Sequence, residues 1–268
     1  MTSEPAALQA LAPDSVWIVI PAYNEERTIR DVAEAALALC LRVLVVDDGS
    51  SDSTAERLDG LPLTLLRHPS NQGKAASLRT GFRHALALGA SCAVTLDGDG
   101  QHDPRDVARL LAVWRRQPSR LVIGARLHDR AQFPPLRYFG NRFACFWISW
   151  AAGHPIADSQ SGFRVYSRAL MEIAVGNRAR SARFAFESEI IIAAARRGHP
   201  TLAVAIAGRY PADARPSHYR SVLDTMAIVA MVAGRLLARG LYPQGLWRSL
   251  QRAPEMAPAA ESALDAQR

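Results

Sequence analysis

Asp97 and Asp99 stand one residue apart, flanked by Gly98 and Gly100, directly after the apolar run Ala93 to Leu96, and Gln101 follows them. Two carboxylates at a strand end can share one hard cation. Mg²⁺ or Mn²⁺ held in this way keeps positions open for water and for substrate phosphates. Gln101 offers a neutral oxygen to the same ion, and the glycines let a bulky ligand approach the backbone. The run DGDGQHDPRDVA is not a calcium loop of the EF-hand kind, because His102 stands where that loop needs glycine and Ala108 where it needs glutamate. Asn71-Gln72-Gly73-Lys74-Ala75 is not a P-loop either: His68 replaces the first glycine and Ala75 the Ser or Thr that would hold Mg²⁺. Both departures turn the reading away from calcium buffering and from kinase or NTPase chemistry.

The elements that would position these residues are legible as short apolar runs: Val16 to Ile20, Val43 to Val46, Leu63 to Leu66, Ala93 to Leu96 and Leu121 to Ile123. Such runs predict buried parallel strands. Ile29, Val32, Ala33, Ala36, Leu37 and Cys40 form the stripe of a helix packed on a sheet, and further helices are predicted over Ser77 to Leu88 and Pro104 to Arg116. The alternation predicts a Rossmann-like, doubly wound α/β sheet, mostly parallel. Ligands bind beyond the carboxyl ends of such strands. Pro-Ala-Tyr-Asn-Glu (21 to 25) follows the first strand, Asp-Asp-Gly-Ser (47 to 50) the second and Asp-Gly-Asp-Gly-Gln (97 to 101) the fourth, so three polar loops converge on one rim.

Past Gly153 the pattern loosens into a polar turn, Asp158 to Arg164, a helical stretch, Phe184 to Arg197, and a strand, Leu202 to Ile206. The expected organisation is a disordered start (1–14), one α/β domain (15–215), a basic loop with an amphipathic C-terminal helical extension (216–251, helix Ser221 to Leu241) and a disordered tail (252–268). Cys40, Cys92 and Cys145 are far apart and fit buried apolar positions rather than disulfides or a zinc site. The opening residues lack the basic and apolar regions of a secretory signal, and no apolar run reaches the roughly 20 residues that span a bilayer, so the expected location is cytoplasmic. A net charge of +7 points to an anionic partner. Seven arginines between 115 and 142 meet one acid, Asp129. Nucleic acid is disfavoured by the acidic rim at 47, 48, 97 and 99.

The chain resembles the family 2 glycosyltransferases with the GT-A fold, and among them the dolichyl- and polyprenyl-phosphate sugar synthases. The resemblance runs from about Val16 to Arg220 and rests on VIPAYNE (19–25), VVDDGSSDST (45–54), NQGK (71–74), DGDGQHDP (97–104), GAR (124–126) and DSQSGFR (158–164). It implies that Pro21, Ala22, Tyr23, Glu25, Val46, Asp48, Lys74, Leu96, Asp97 and Gly98 bind the nucleotide, and that Asp97, Asp99 and Gln101 hold Mg²⁺ or Mn²⁺ and the diphosphate of a UDP- or GDP-sugar. Arg126 and Arg137 would contact an acceptor phosphate. The basic loop of Arg215, Ser217, His218 and Arg220 would close over the substrates, with His218 standing where that subfamily carries lysine.

The implied reaction is inverting transfer of a hexose to a lipid-linked acceptor such as polyprenyl phosphate. Asp99 and Arg126 act on the departing diphosphate, and Asp158 or Glu189 is the base if the acceptor is instead a glycan hydroxyl. A nucleotidyltransferase would carry a glycine-rich basic loop where this chain has Pro-Ala-Tyr-Asn-Glu. Without a spanning segment, such an enzyme would dock peripherally at the inner membrane face through Phe143 to Trp150 and Ser221 to Trp247. The aromatic run fits a protein core equally well, and the C-terminal helix fits a homodimer interface.

Overall fold

The computed structural model describes residues 15–39, 41–126, 135–176, 185–207 and 221–258. Its centre is a seven-stranded sheet built from β1 (Val16–Ala22), β2 (Arg42–Asp47), β3 (Thr64–Arg67), β4 (Cys92–Thr95), β5 (Leu121–Ala125), β6 (Arg164–Ser167) and β7 (Thr201–Ala205), in the order β3-β2-β1-β4-β6-β5-β7. All neighbours are parallel except β6, which runs antiparallel to both β4 and β5.

Side chains alternate across the sheet, and both faces are covered. Val16, Ile18 and Ile20 of β1 join one core with α1 (Ile29–Leu37) and α3 (Val107–Arg116). Trp17 and Val19 join the other, with α2 (Lys74–Ala87), α4 (Pro135–Ala152), α5 (Arg168–Gly176), α6 (Ala185–Ala195) and α7 (Ser221–Leu237). This burial on both faces is why the strands read as unbroken apolar runs. The α1 stripe buries Ile29, Val32, Ala33 and Ala36 as its spacing predicts. Gly81 lets α2 press close on β1, since a Cβ there would stand 2.5 Å from Val19 Cγ1. Strands β2 and β3 lie on one side of β1 and β4 on the other. That reversal opens a crevice at the carboxyl ends of β1 and β4.

Three features differ from the sequence-based expectation. The polar turn from Asp158 leads into β6, whose four residues Arg-Val-Tyr-Ser carry no apolar run to signal a strand. The predicted helix Ser221 to Leu241 ends at Leu237: Gly240, Leu241 and Tyr242 take positive φ (58°, 62° and 46°), and a separate α8 (Pro243–Gln251) follows. Residues 252–258, expected within a disordered tail, include a segment on the free edge of β7. There Ala203 N donates to Glu255 O at 2.9 Å and Ala257 N to Ala203 O at 2.7 Å. That covers an otherwise open sheet edge. Cys92 and Cys145 are buried free thiols, while Cys40 lies outside the described residues.

Candidate active site

The loops after β1 and β2 are stapled to each other. Asn24 N donates to Ser50 Oγ (2.9 Å), Glu25 N to Thr54 Oγ1 (2.7 Å) and Ser51 N to Asn24 Oδ1 (2.8 Å), with Asn24 in the left-handed region at φ 55°. Asp47 caps its own turn by accepting from Ser50 N. Asp48 is buried and already engaged: its carboxylate accepts from Gln72 N (3.0 Å) and Gly73 N (2.7 Å) and pairs with His68 Nδ1 (2.7 Å). It therefore anchors the loop that launches α2, rather than lying open for a ligand. Pro21 and Val46 are register partners near the ends of β1 and β2, and they, Ala22, Leu96 and Gly98 are buried. Tyr23 and Glu25 remain partly exposed at the rim.

The loop after β4 is tied to α1 by Thr28, whose hydroxyl donates to Gly98 O at 2.6 Å. Asp97 Oδ1 lies 2.6 Å from Lys74 Nζ, the first residue of α2, and Asp97 Oδ2 lies 4.0 Å from His102 Nδ1. Burial alone would raise the Asp97 carboxyl, but the Lys74 ammonium, with His102 and Arg126 adding to it, holds the group down at about 2. Asp99 goes the other way. Burial and the Asp97 charge push it up to about 6, although Gln101 N donates to its Oδ1 at 3.0 Å. His102 is buried, neither ring nitrogen has a hydrogen-bond partner among the described residues, and burial pulls it down to about 4.

A second loop closes on these acids from the β6 side. A Cβ at Gly162 would stand 2.5 and 2.7 Å from the two Asp97 carboxylate oxygens and 2.7 Å from Lys74 Nζ, so any larger residue must displace the ends of this pair. Asp158 holds this loop in shape, accepting from Asn141 Nδ2 (3.0 Å), Gln160 N (3.1 Å), Ser161 N (3.1 Å) and both the backbone N and Nε of Arg126 (3.3 Å each). Burial opposes the Asp158 charge, yet Arg126 and these donors bring its carboxyl below the usual range. Arg164 is fully buried and donates to the carbonyls of Ser161, Glu187 and Ser159 at 2.7, 2.8 and 2.9 Å. It thereby locks the loop to the start of α6.

Of the two candidate bases, Asp158 is consumed by these contacts, and Glu189 faces the wrong way. Glu189 is buried and paired with Arg235 of α7. Residues two apart on a helix point to nearly opposite sides, and the α6 acid that reaches the site is Glu187, 3.3 Å from Lys74 Nζ. Nothing in the sequence separates the two, because α6 is buried all around from Phe186 to Ile192 and shows no polar face. His102, Gly162, Arg164 and Asn141 were likewise not singled out, although the first three lie inside recognised motifs. Arg215, Ser217, His218 and Arg220 lie outside the described residues, as does the side chain of Arg137.

The site is thus a cluster of Lys74, Asp97, Asp99, Arg126 and Glu187 at the carboxyl ends of β4 and β5. Residues 17–172 match the model of the family described as Glycosyl transferase family 2, more than half of the chain. The chain belongs to this glycosyltransferase family. Among its relatives, a UDP-N-acetylglucosamine–dolichyl-phosphate N-acetylglucosaminyltransferase of Methanococcus voltae is 29% identical over 205 residues, 69% of this chain and 81% of the relative. A polyprenol monophosphomannose synthase of Mycolicibacterium smegmatis is 30% identical over 166 residues, 58% of this chain and 62% of the relative. A crystal structure of glucosyl-3-phosphoglycerate synthase from Mycobacterium tuberculosis, with Mn²⁺, UDP-glucose and phosphoglyceric acid, aligns at a TM-score of 0.62 and 21% identity, covering 87% of this chain and 81% of that one. The family 2 chain therefore has the GT-A fold of these transferases.

Proposed function

We propose that this glycosyltransferase moves a hexose, with inversion, from a UDP- or GDP-sugar to a lipid-linked phosphate at the inner face of a membrane. The observation that carries the reading is the convergence of Asp97, Asp99, Lys74 and Arg126 on one rim, where two carboxylates meet two cationic side chains. A Mg²⁺ or Mn²⁺ ion fits this donor set. Lys74 already places a cation 2.6 Å from Asp97 Oδ1, and the described residues contain no group of three or more His, Cys, Asp or Glu side chains able to cage a metal alone. Asp97 and Asp99, with Gln101 as a neutral donor, would hold the ion, and substrate phosphates and water would complete its shell. When bound, it supplies positive charge to the departing diphosphate.

Lys74 and Arg126 serve the same leaving group with preorganised charge. Asp158 keeps Arg126 aimed. A phosphate acceptor is favoured by the state of the acids. An ionised phosphate attacks without a base, whereas a hydroxyl needs one, and here Asp158 is fully hydrogen-bonded and Glu187 is paired with Lys74. The named relatives that use dolichyl phosphate or polyprenol support the same acceptor class.

No helix among the described residues is long and apolar enough to cross a membrane. A peripheral docking face is supported instead by exposed Phe139, Phe143 and Phe146 at helical spacing on α4, with Trp247 and Leu250 on α8. The sequences of α4 and α8 carry arginines and no acid, which suits anionic headgroups.

The deciding experiment is titration of the protein with UDP and GDP, with and without Mn²⁺, for the wild type and Asp99→Ala. It is followed by transfer from the nucleotide-sugar that binds to polyprenyl phosphate in vesicles. Metal-dependent binding of one nucleotide, lost in Asp99→Ala, is the expected result. Binding of neither nucleotide would sink the reading.

A further inference from the structure

Lys74, Asp97 and Glu187 form a three-charge cluster just inside the rim. The ammonium lies 2.6 Å from Asp97 Oδ1 and 3.3 Å from Glu187 Oε1. Gly162 walls off one side, its Cα close enough that a Cβ would touch both Asp97 and Lys74. The Glu187 carboxylate sits deeper than its neighbours, with 8% of the side chain exposed against 24% for Lys74 and 23% for Asp97. Lys74 hangs on a flexible four-carbon stem at the first position of α2. Its charge therefore has two resting partners, only one of which is a candidate metal ligand. An ammonium and a divalent cation on the same carboxylate repel each other, more strongly in a partly buried site such as this than in bulk water.

We propose that Lys74 guards the metal position. Without nucleotide it occupies Asp97 and disfavours a divalent cation there. When a nucleoside diphosphate brings its own negative charge, the ammonium passes from Asp97 to the phosphate and Glu187, and Asp97 is released to the metal. Metal and nucleotide then bind as a coupled pair, each strengthening the other by the same factor. Glu187 is the positioning residue that keeps the lysine charge at the rim during the exchange. This rests on the donor-site reading above.

The test titrates Mn²⁺ into the full chain, followed by the electron paramagnetic resonance of free Mn²⁺, without nucleotide and with saturating UDP or GDP, whichever binds the wild type. In Lys74→Met, Mn²⁺ binds about tenfold more tightly without nucleotide, and the factor by which nucleotide tightens Mn²⁺ falls about tenfold, inside the range of about 5–150-fold typical of site coupling. In Glu187→Gln the sign reverses: nucleotide-free Mn²⁺ binding weakens, because Lys74 is left with Asp97 alone. Equal tightening in Lys74→Met with and without nucleotide would overturn the proposal, since mere removal of a nearby positive charge leaves the coupling intact. An unchanged or weaker Mn²⁺ affinity in a folded Lys74→Met, or a tighter one in Glu187→Gln, would overturn it too. A wild type that binds neither nucleotide in the presence of Mn²⁺ fails differently, because it removes the donor site itself.

Discussion

Asp158 receives Arg126 twice, from the backbone nitrogen and from Nε, both 3.3 Å from the same oxygen, Oδ2. One acid thus fixes both where β5 ends and where the guanidinium points. Asp158→Asn removes the charge from a fully buried acid and puts an amide beside Arg126, which is itself only partly buried. Breaking a buried pair from one side costs about 3–5 kcal/mol, so the variant should melt well below the wild type. At a temperature where it is folded, it should keep most of its Mn²⁺·nucleotide affinity and lose transfer rate. Parallel calorimetry and single-turnover kinetics check this, and an undiminished rate would remove Arg126 from the reaction.

Gly162 is a steric requirement rather than a conformational one. Its φ is not positive, but a methyl group there would overlap the Asp97 carboxylate and the Lys74 ammonium. Gly162→Ala must push the pair apart or lift the loop, and overpacking of this kind costs about 1–3 kcal/mol. Mn²⁺·nucleotide binding should weaken at least tenfold, readable by calorimetric titration. Unaltered affinity would mean that the loop yields freely.

The acids at 97 and 99 respond oppositely to pH. Asp99 is raised to about 6, so its charge opposes folding above that pH, and the penalty disappears below the ordinary carboxyl range near 4. Asp97 is lowered to about 2, so its stabilisation holds above the ordinary range and is lost only as pH falls through 2. Asp99→Asn should therefore raise the melting temperature of the metal-free protein at pH 7, with the difference closing by about pH 4. Asp97→Asn should lower the melting temperature at pH 7. Thermal melts across pH 3 to 8 check both signs.

Glu187 and Glu189 part company in the same manner. Glu189→Gln breaks the pair between a buried carboxylate and the partly exposed Arg235 and should lower stability while leaving Mn²⁺·nucleotide binding within about twofold, as expected for sites that do not interact. Glu187→Gln should alter metal binding. Identical profiles for the two variants would contradict the placement of α6.

The strands and their rim loops were legible because both faces of the sheet are buried, so apolar runs such as Val43 to Val46 stand out against polar loop residues. The order of β5 and β6 was not, because Arg164 opens a strand with a charged residue whose partners are carbonyls of Ser159, Ser161 and Glu187, the last of them distant in sequence. Asp97 and Asp99 were recognisable from spacing. The roles of Asp48 and Asp158 were not, since a carboxylate that accepts from backbone N–H groups looks, in a sequence, the same as one that awaits a ligand.

The aromatic run on α4 was open to two readings, and the structure buries part of this helix and exposes the rest. Ala144, Cys145 and Ile148 face the core, while Phe139, Phe143 and Phe146 are 62%, 49% and 41% exposed. On α8, Trp247 (66%) and Leu250 (63%) are exposed as well. None of these side chains belongs to the buried core, although Phe143 meets Trp147 edge-on, so charged replacements should leave the fold in place and act mainly on a surface that α4 and α8 touch. Phe143→Glu with Trp247→Glu should keep the wild-type melting temperature and Mn²⁺·nucleotide affinity, yet lose at least tenfold in binding to vesicles containing anionic lipid. Added salt should weaken wild-type binding without abolishing it, because apolar insertion persists when the arginine attraction is screened. Co-sedimentation with vesicles of graded anionic content reads both effects. Wild-type sedimentation by the double variant would take the membrane away from this face and leave the exposed aromatics to a protein partner.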